Sequence, residues 1–173
     1  MRMANVHPTT GTEPAYPLAV HATRTGLSAS ALQFPAMATA DDRPELFRLL
    51  AEQVALYLLD ARLEGRTPEP PLPAERLDRT VFGADAEIVH VRPATVSVAS
   101  EAIERALREE GLAYVELARR MNVPRSVVSR ITNPFYFGHT CRTLRQVAAA
   151  LGRELRVGFV SPANAHGTAR SAP

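Results

Sequence analysis

Three patterns along this 173-residue chain predict an α+β fold. Apolar residues alternate at period two between residues 16 and 34, the signature of strands with one buried face. They recur at helical spacing from Leu46 to Ala61, and short helical runs follow one another after Ser97. In order, these make a small N-terminal β-β-β-α-β domain joined to an all-α helix-turn-helix bundle with a short C-terminal strand. The expected boundaries are a disordered leader over 1–14, the α+β domain over 15–92, the helical domain over 96–160 and a disordered tail over 161–173. A proline-rich connection lies within 66–80.

The leader is polar, carries Pro and Gly, and lacks periodicity. Tyr16, Leu18, Val20 and Ala22 alternate with Pro17, Ala19 and His21, which predicts a strand. Thr23 to Gly26 predicts a turn, and Leu27 to Phe34 a second strand that pairs back on the first. Ala36 to Thr39 can form a short third. Asp42, Pro44 and Glu45 mark a helix start: an acceptor at the cap, proline in the first turn, and a capping-box spacing. That helix runs to about Leu63 and buries Leu46, Leu49, Leu50, Val54, Tyr57, Leu58 and Ala61. Gly65 suits its end, and Pro68, Pro70, Pro71 and Pro73 prevent continuation. The prolines read as a rigid spacer. Ala86 to Val91 supplies one more strand for the sheet.

Ser97 to Glu110 is the first helix of the second domain, with Ser100 able to cap it and Ile103 and Leu107 facing the core. The stretch YVELARRMNVPRSVVSRITN, 114–133, then reads as two short helices around a sharp bend. Leu117, Ala118 and Met121 lie on one face of the first, and Val128 and Ile131 on one face of the second. Val123 plugs the corner. Asn122 sits where the chain must bend, and asparagine adopts positive φ more readily than other non-glycine residues. Asn133-Pro134 ends the second helix. After the aromatic loop 135–139, Thr143 can cap a further helix carrying Leu144, Val147, Ala148 and Leu151, which Gly152 stops. Glu154 to Val160 alternates again and predicts the final strand, which could pair with that of a second copy.

The residues left facing outward on the second short helix are Arg125, Ser126, Ser129, Arg130 and Asn133, side-chain types that contact bases and phosphates. Charge points the same way. Residues 1–95 carry nine Arg against twelve acids, a balance of −3, whereas 96–173 carry eleven Arg against six acids, or +5. Residues 118–156 alone hold eight Arg and one Glu. A basic face coinciding with a helix-turn-helix favours nucleic acid. For Arg119 and Arg120, a solvated helix surface is an equally open reading.

Other chemistries find little footing. His7, His21, His90, His139 and His166 share no metal-ligand spacing, and no glycine-rich phosphate loop occurs. Asp41-Asp42 is accounted for by a helix start, and the strands lack the paired carboxylates of metal-assisted cleavage. We therefore expect no enzyme activity, no metal and no cofactor. The single cysteine, Cys141, excludes an internal disulfide and suits a reducing, cytoplasmic setting; a small core thiol is the simplest role for it. No apolar run has membrane-spanning length and no signal-peptide core opens the chain, so no membrane association is expected.

With both halves laid out, the chain over residues 15–160 resembles HicB-type antitoxins. YPLAVHATRTGLSASALQFP, a short strand and a long helix ending in EGRTPEPP match the family's N-terminal layout. The run from EAIERALREEG to GRELRV is similar to the Xre-type, lambda-repressor-like helix-turn-helix that some members carry. The resemblance implies an N-terminal domain that binds a HicA-like mRNA-cleaving toxin and a C-terminal domain that represses its own operon. It places Arg125, Ser126, Ser129 and Arg130 in the major groove, and makes Tyr114, His139, Thr140 and Arg142 phosphate-contact candidates. One helix-turn-helix makes few contacts, so a homodimer on palindromic operator DNA is expected, with half-sites ~34 Å apart. Two dimers could join through their N-terminal domains as a tetramer. The alternative is a stand-alone helix-turn-helix transcriptional regulator whose N-terminal domain senses a ligand or oligomerises.

Overall fold

The computed structural model describes residues 14–73, 76–77 and 85–158. Nearly all of the expected leader, the whole of the tail and part of the proline-rich connection lie outside them. The fold is mixed α+β, with a four-stranded antiparallel sheet and five helices among the described residues.

Strands β1 (Tyr16–Thr23), β2 (Gly26–Ala31), β3 (Met37–Ala40) and β4 (Glu87–Val91) lie in the order β3-β2-β1-β4. β1 is central: Leu18 faces Ala31 of β2 on one side and Val89 of β4 on the other. A two-residue turn, Arg24-Thr25, joins β1 to β2. Helix α1 (Arg43–Leu63) lies on the sheet and starts as expected, with the Asp42 carboxylate accepting from the Glu45 amide at 2.8 Å. Tyr16, Leu18 and Val20 meet Leu46, Leu50, Val54 and Leu58 in one core. Phe34 stacks on Tyr57 with ring centroids 4.2 Å apart, and Tyr16 lies edge-on to both. The proline-rich segment is tied to this unit through three side chains, one of them Tyr57, whose hydroxyl accepts from the Glu69 amide at 3.2 Å. The Tyr16 hydroxyl donates to the Glu69 carbonyl (2.9 Å), and Gln33 bonds both the Pro70 carbonyl and the Leu72 amide (2.7 Å each).

Four helices follow: α2 (Val98–Glu109), α3 (Tyr114–Met121), α4 (Arg125–Ile131) and α5 (Cys141–Ala150). Their second core gathers Ile103, Leu107, Leu117, Ala118, Val128, Ile131, Val147 and Leu151. Asn122 has φ 53°, the left-handed geometry the bend requires, and its amide closes α3 on the Ala118 and Arg119 carbonyls. Three polar ties join this region to α1: the Ala94 amide donates to the Ala51 carbonyl at 2.8 Å, Arg108 pairs with Asp60 at 3.0 Å, and Arg62 with Glu101 at 3.4 Å.

Four expectations are corrected. Ser97 caps α2 rather than Ser100, because Ser97 accepts from the Ser100 amide while Ser100 is buried one turn in. Thr140 caps α5 rather than Thr143, by the same three-residue shift. Cys141 is exposed at the first position of α5, not a core thiol, because the helix meets the core farther along, through buried Val147 and partly buried Leu144. The strand expected over Glu154–Val160 does not form across 154–158; Phe159 and Val160 lie outside the described residues. A lone strand leaves its backbone groups without a ladder, and no strand of the sheet lies beside this segment. Val157 accordingly stays 67% exposed.

Candidate nucleic-acid interface

The surface is built on α4, which lacks a side-chain cap because Pro124 occupies the N-cap position. Seven residues are too few to hold a helix in water by themselves, so packing must hold it. Val128 and Ile131 are buried on its inner face, against Leu117 and Ala118 of α3. Its C-terminal end is pinned by α2. The Ser100 hydroxyl donates to the Asn133 carbonyl at 2.8 Å, and the Ser97 amide to the Pro134 carbonyl at 2.7 Å. Thr132 is buried and returns its hydroxyl to the Val128 carbonyl at 2.9 Å.

This leaves Arg125, Ser126, Ser129, Arg130 and Asn133 exposed on the outer face, as expected. The Arg130 guanidinium lies 5.6 Å from the Tyr136 ring centroid, which steadies it without neutralising it. The Asn133 Oδ1 accepts from the Phe135 amide at 2.9 Å, which leaves the NH2 of that side chain for other contacts. Thr140 and Arg142 are also exposed, at the start of α5, with the Thr140 hydroxyl engaged in capping.

Two of the nine expected contact residues are occupied inside the protein. The Tyr114 hydroxyl donates to Glu104 Oε2 at 2.7 Å, and burial, ahead of every other cause, pushes that hydroxyl above its ordinary pKa. His139 sets its Nε2 2.8 Å from the Ile131 carbonyl, so that nitrogen carries the proton, with Ser100 Oγ 3.4 Å away. Both are only half-exposed. They hold the ends of α3 and α4 in place, a role invisible in their spacing.

Charge divides the arginines more sharply than their number does. Arg119 and Arg120 both reach Glu116, at 2.6 and 3.0 Å. Together they hold its carboxyl down to about 2, through hydrogen bonds from Arg119 first and Arg120 second. Arg153 is split between Glu109 (2.8 Å) and Glu110 (2.7 Å), and Arg156 pairs with Glu154. By contrast, Arg125, Arg130, Arg142 and Arg145 have no acidic partner among the described residues. Those four stand on α4 and α5, all exposed. Arg145 is absent from the expected contact residues, although its position three residues beyond Arg142 on the same helix is a usable signal.

A groove of about 300 Å³ opens behind this surface, between Leu56, Leu59 and Leu63 of α1 and Glu104, Arg108 and Tyr114 of the helical unit. Among the described residues no group of three His, Cys, Asp or Glu is arranged to hold a metal ion, and no helix is long and apolar enough to cross a membrane. No family model matches the chain, and no curated protein sequence matches it.

Proposed function

We propose that the chain reads DNA sequence with α4 and acts as the antitoxin of a type II toxin-antitoxin pair. One observation carries the DNA reading: of the described arginines over 96–158, those on α4 and α5 are the ones left without acidic partners, and the apolar face of α4 is committed to the core. An arginine already chelated by carboxylates has less charge to offer a phosphate or a guanine edge; an unpaired one can offer two parallel hydrogen bonds to guanine O6 and N7. On this reading, the residues over 96–160 bind palindromic operator DNA as a homodimer. The β-β-β-α-β unit over 15–92 binds and neutralises a HicA-like mRNA-cleaving toxin, which rests on the resemblance in strand and helix order. The setting is cytoplasmic, and no catalytic step is assigned to the chain.

The groove under α1 favours a second reading. A stand-alone regulator would need a place where a ligand meets both units, and Tyr114 and Thr132, at the ends of α3 and α4, line that groove.

Two measurements test the proposal. In a gel-shift assay with the upstream region of its own gene, Arg125→Ala with Arg130→Ala should abolish binding while the melting curve and dimer mass stay unchanged; unchanged affinity would remove α4 as the reader. Co-expression with the product of the adjacent reading frame should give a stable complex and relieve its toxicity. Failure of that arm alone leaves the regulator reading standing.

A further inference from the structure

The loop between α4 and α5 is pinned at nearly every residue. The Phe135 amide donates to Asn133 Oδ1 (2.9 Å), and the Tyr136 amide to the Asn133 carbonyl (3.0 Å). The Tyr136 hydroxyl donates to the Gly138 carbonyl at 2.9 Å, closing a tight ring of backbone. A Cβ at position 138 would lie 2.6 Å from that hydroxyl, so a side chain there would have to displace the Tyr136 ring. His139 lies edge-on to Tyr136, with centroids 4.9 Å apart, and anchors the far side on Ile131.

Held out between Tyr136 and Gly138 is Phe137, 62% exposed. Single exposed apolar residues are ordinary on any surface. This one differs in two ways. Both of its neighbours are tied, Tyr136 through its amide and hydroxyl and Gly138 through its carbonyl, which limits how far the loop can carry the ring back toward the core. Its flanks are also basic: Arg130 lies over the ring of the adjacent Tyr136, and Arg142 follows five residues later at the start of α5, each without an acidic partner among the described residues. A protein partner for such a patch would have to be acidic around an apolar contact. Duplex DNA supplies that combination directly, with phosphates flanking the thymine C5-methyl group in the major groove.

We propose that Phe137 is a specificity residue that packs on a thymine methyl at the edge of the α4 footprint. The inference rests on the DNA reading above and adds a base preference to it: an A·T pair at one fixed position of each half-site, read by an apolar contact.

The test uses the full chain and a duplex selected by that chain from a random library. Each thymine in turn is replaced by deoxyuridine, which removes only the methyl. Wild type should lose affinity about three- to fivefold at one position per half-site, the worth of a single buried methyl. Phe137→Ala should bind the parent duplex about tenfold more weakly and be indifferent to uracil at that position, and Phe137→Leu should recover part of the loss. Because a benzyl group neutralises no phosphate, the salt dependence of Phe137→Ala should match wild type, whereas Arg142→Ala should flatten it by about one contact. If Arg125→Ala with Arg130→Ala loses binding but Phe137→Ala does not, the inference fails and the DNA reading stands. A changed oligomeric mass in Phe137→Ala would overturn it in favour of a contact between copies. Selection of no sequence by wild type overturns both.

Discussion

Helices α3 and α4 are neighbours of nearly equal length, eight and seven residues, and both begin without a side-chain cap. Each buries two residues against the other's, and each carries two arginines on its own turns. They differ in one acid. α3 has Glu116 in its first turn, with both arginines folded back on it; α4 has no acid in its first turn and leaves both arginines open. Counting arginines alone makes the two helices equally attractive to DNA. Available charge separates them, because an arginine held by a carboxylate must break that contact before it can neutralise a phosphate.

The widest gap between the helices should appear in DNA affinity. Two guanine contacts are each worth ~1–3 kcal/mol, so removing both arginines of α4 should weaken specific binding about a hundredfold or more. The matching double variant on α3, Arg119→Ala with Arg120→Ala, should change it by less than about threefold, the scale of an outer-surface charge. Fluorescence anisotropy on one labelled duplex compares both. Equal losses would mean that the ion pairs on α3 open freely and that the contrast has no functional content.

The joint between the helices comes next. Asn122 holds φ 53°, and a β-branched residue there should cost roughly 1–2 kcal/mol. Asn122→Val should therefore lower the melting temperature by several degrees, whereas Asn122→Gly should stay close to wild type. If valine is tolerated, the bend is not set by this residue and the relative placement of α3 and α4 has another cause.

That bend was readable from sequence, as were the four strands of the sheet and both ends of α1, because each depends on local chemistry: alternation, an aspartate cap, a glycine stop. The caps of α2 and α5 are ambiguous in the sequence because each offers two hydroxyls three residues apart, Ser97 and Ser100, Thr140 and Thr143, and either spelling satisfies a local rule. Packing decides: Ser100 is wanted inside, against the Asn133 carbonyl 33 residues away. The internal roles of Tyr114 and His139 are illegible for the same reason, since their partners Glu104 and Ile131 are fixed by tertiary structure. The division of arginines was half legible. Arg119 and Arg120 sit three and four residues from Glu116, a spacing that announces the pairs. Arg153, by contrast, finds Glu109 and Glu110 44 and 43 residues back. The terminal strand is absent over 154–158 because period-two alternation describes a strand that has a partner, and these residues have none among the described residues.

The smallest expected effect is also the one most specific to α3. Glu116 has an ordinary carboxyl pKa of 4.5 when the chain is unfolded and about 2 in the fold, lowered by the hydrogen bonds from Arg119 and then Arg120. A depressed folded value means that the group's contribution to stability is complete above about 4.5 and is lost as pH falls toward 2. The pair is surface-exposed and screened, so the change in global stability should be slight. The local signature should be clear. The Glu116 side-chain carboxyl resonance should titrate with a midpoint near 2 in wild type and return to the ordinary range when Arg119 and Arg120 are both alanine. Glu116→Gln makes the complementary change at neutral pH. It frees both arginines, brings α3 to the condition of α4, and should raise non-specific DNA affinity a few-fold at low ionic strength, the gain fading as added salt shortens the screening length. A wild-type midpoint near 4.5 would show the chelate to be open in solution. The distinction between the two helices would then lie in the shape of α4 and its supports, Ser97 and Ser100, rather than in charge.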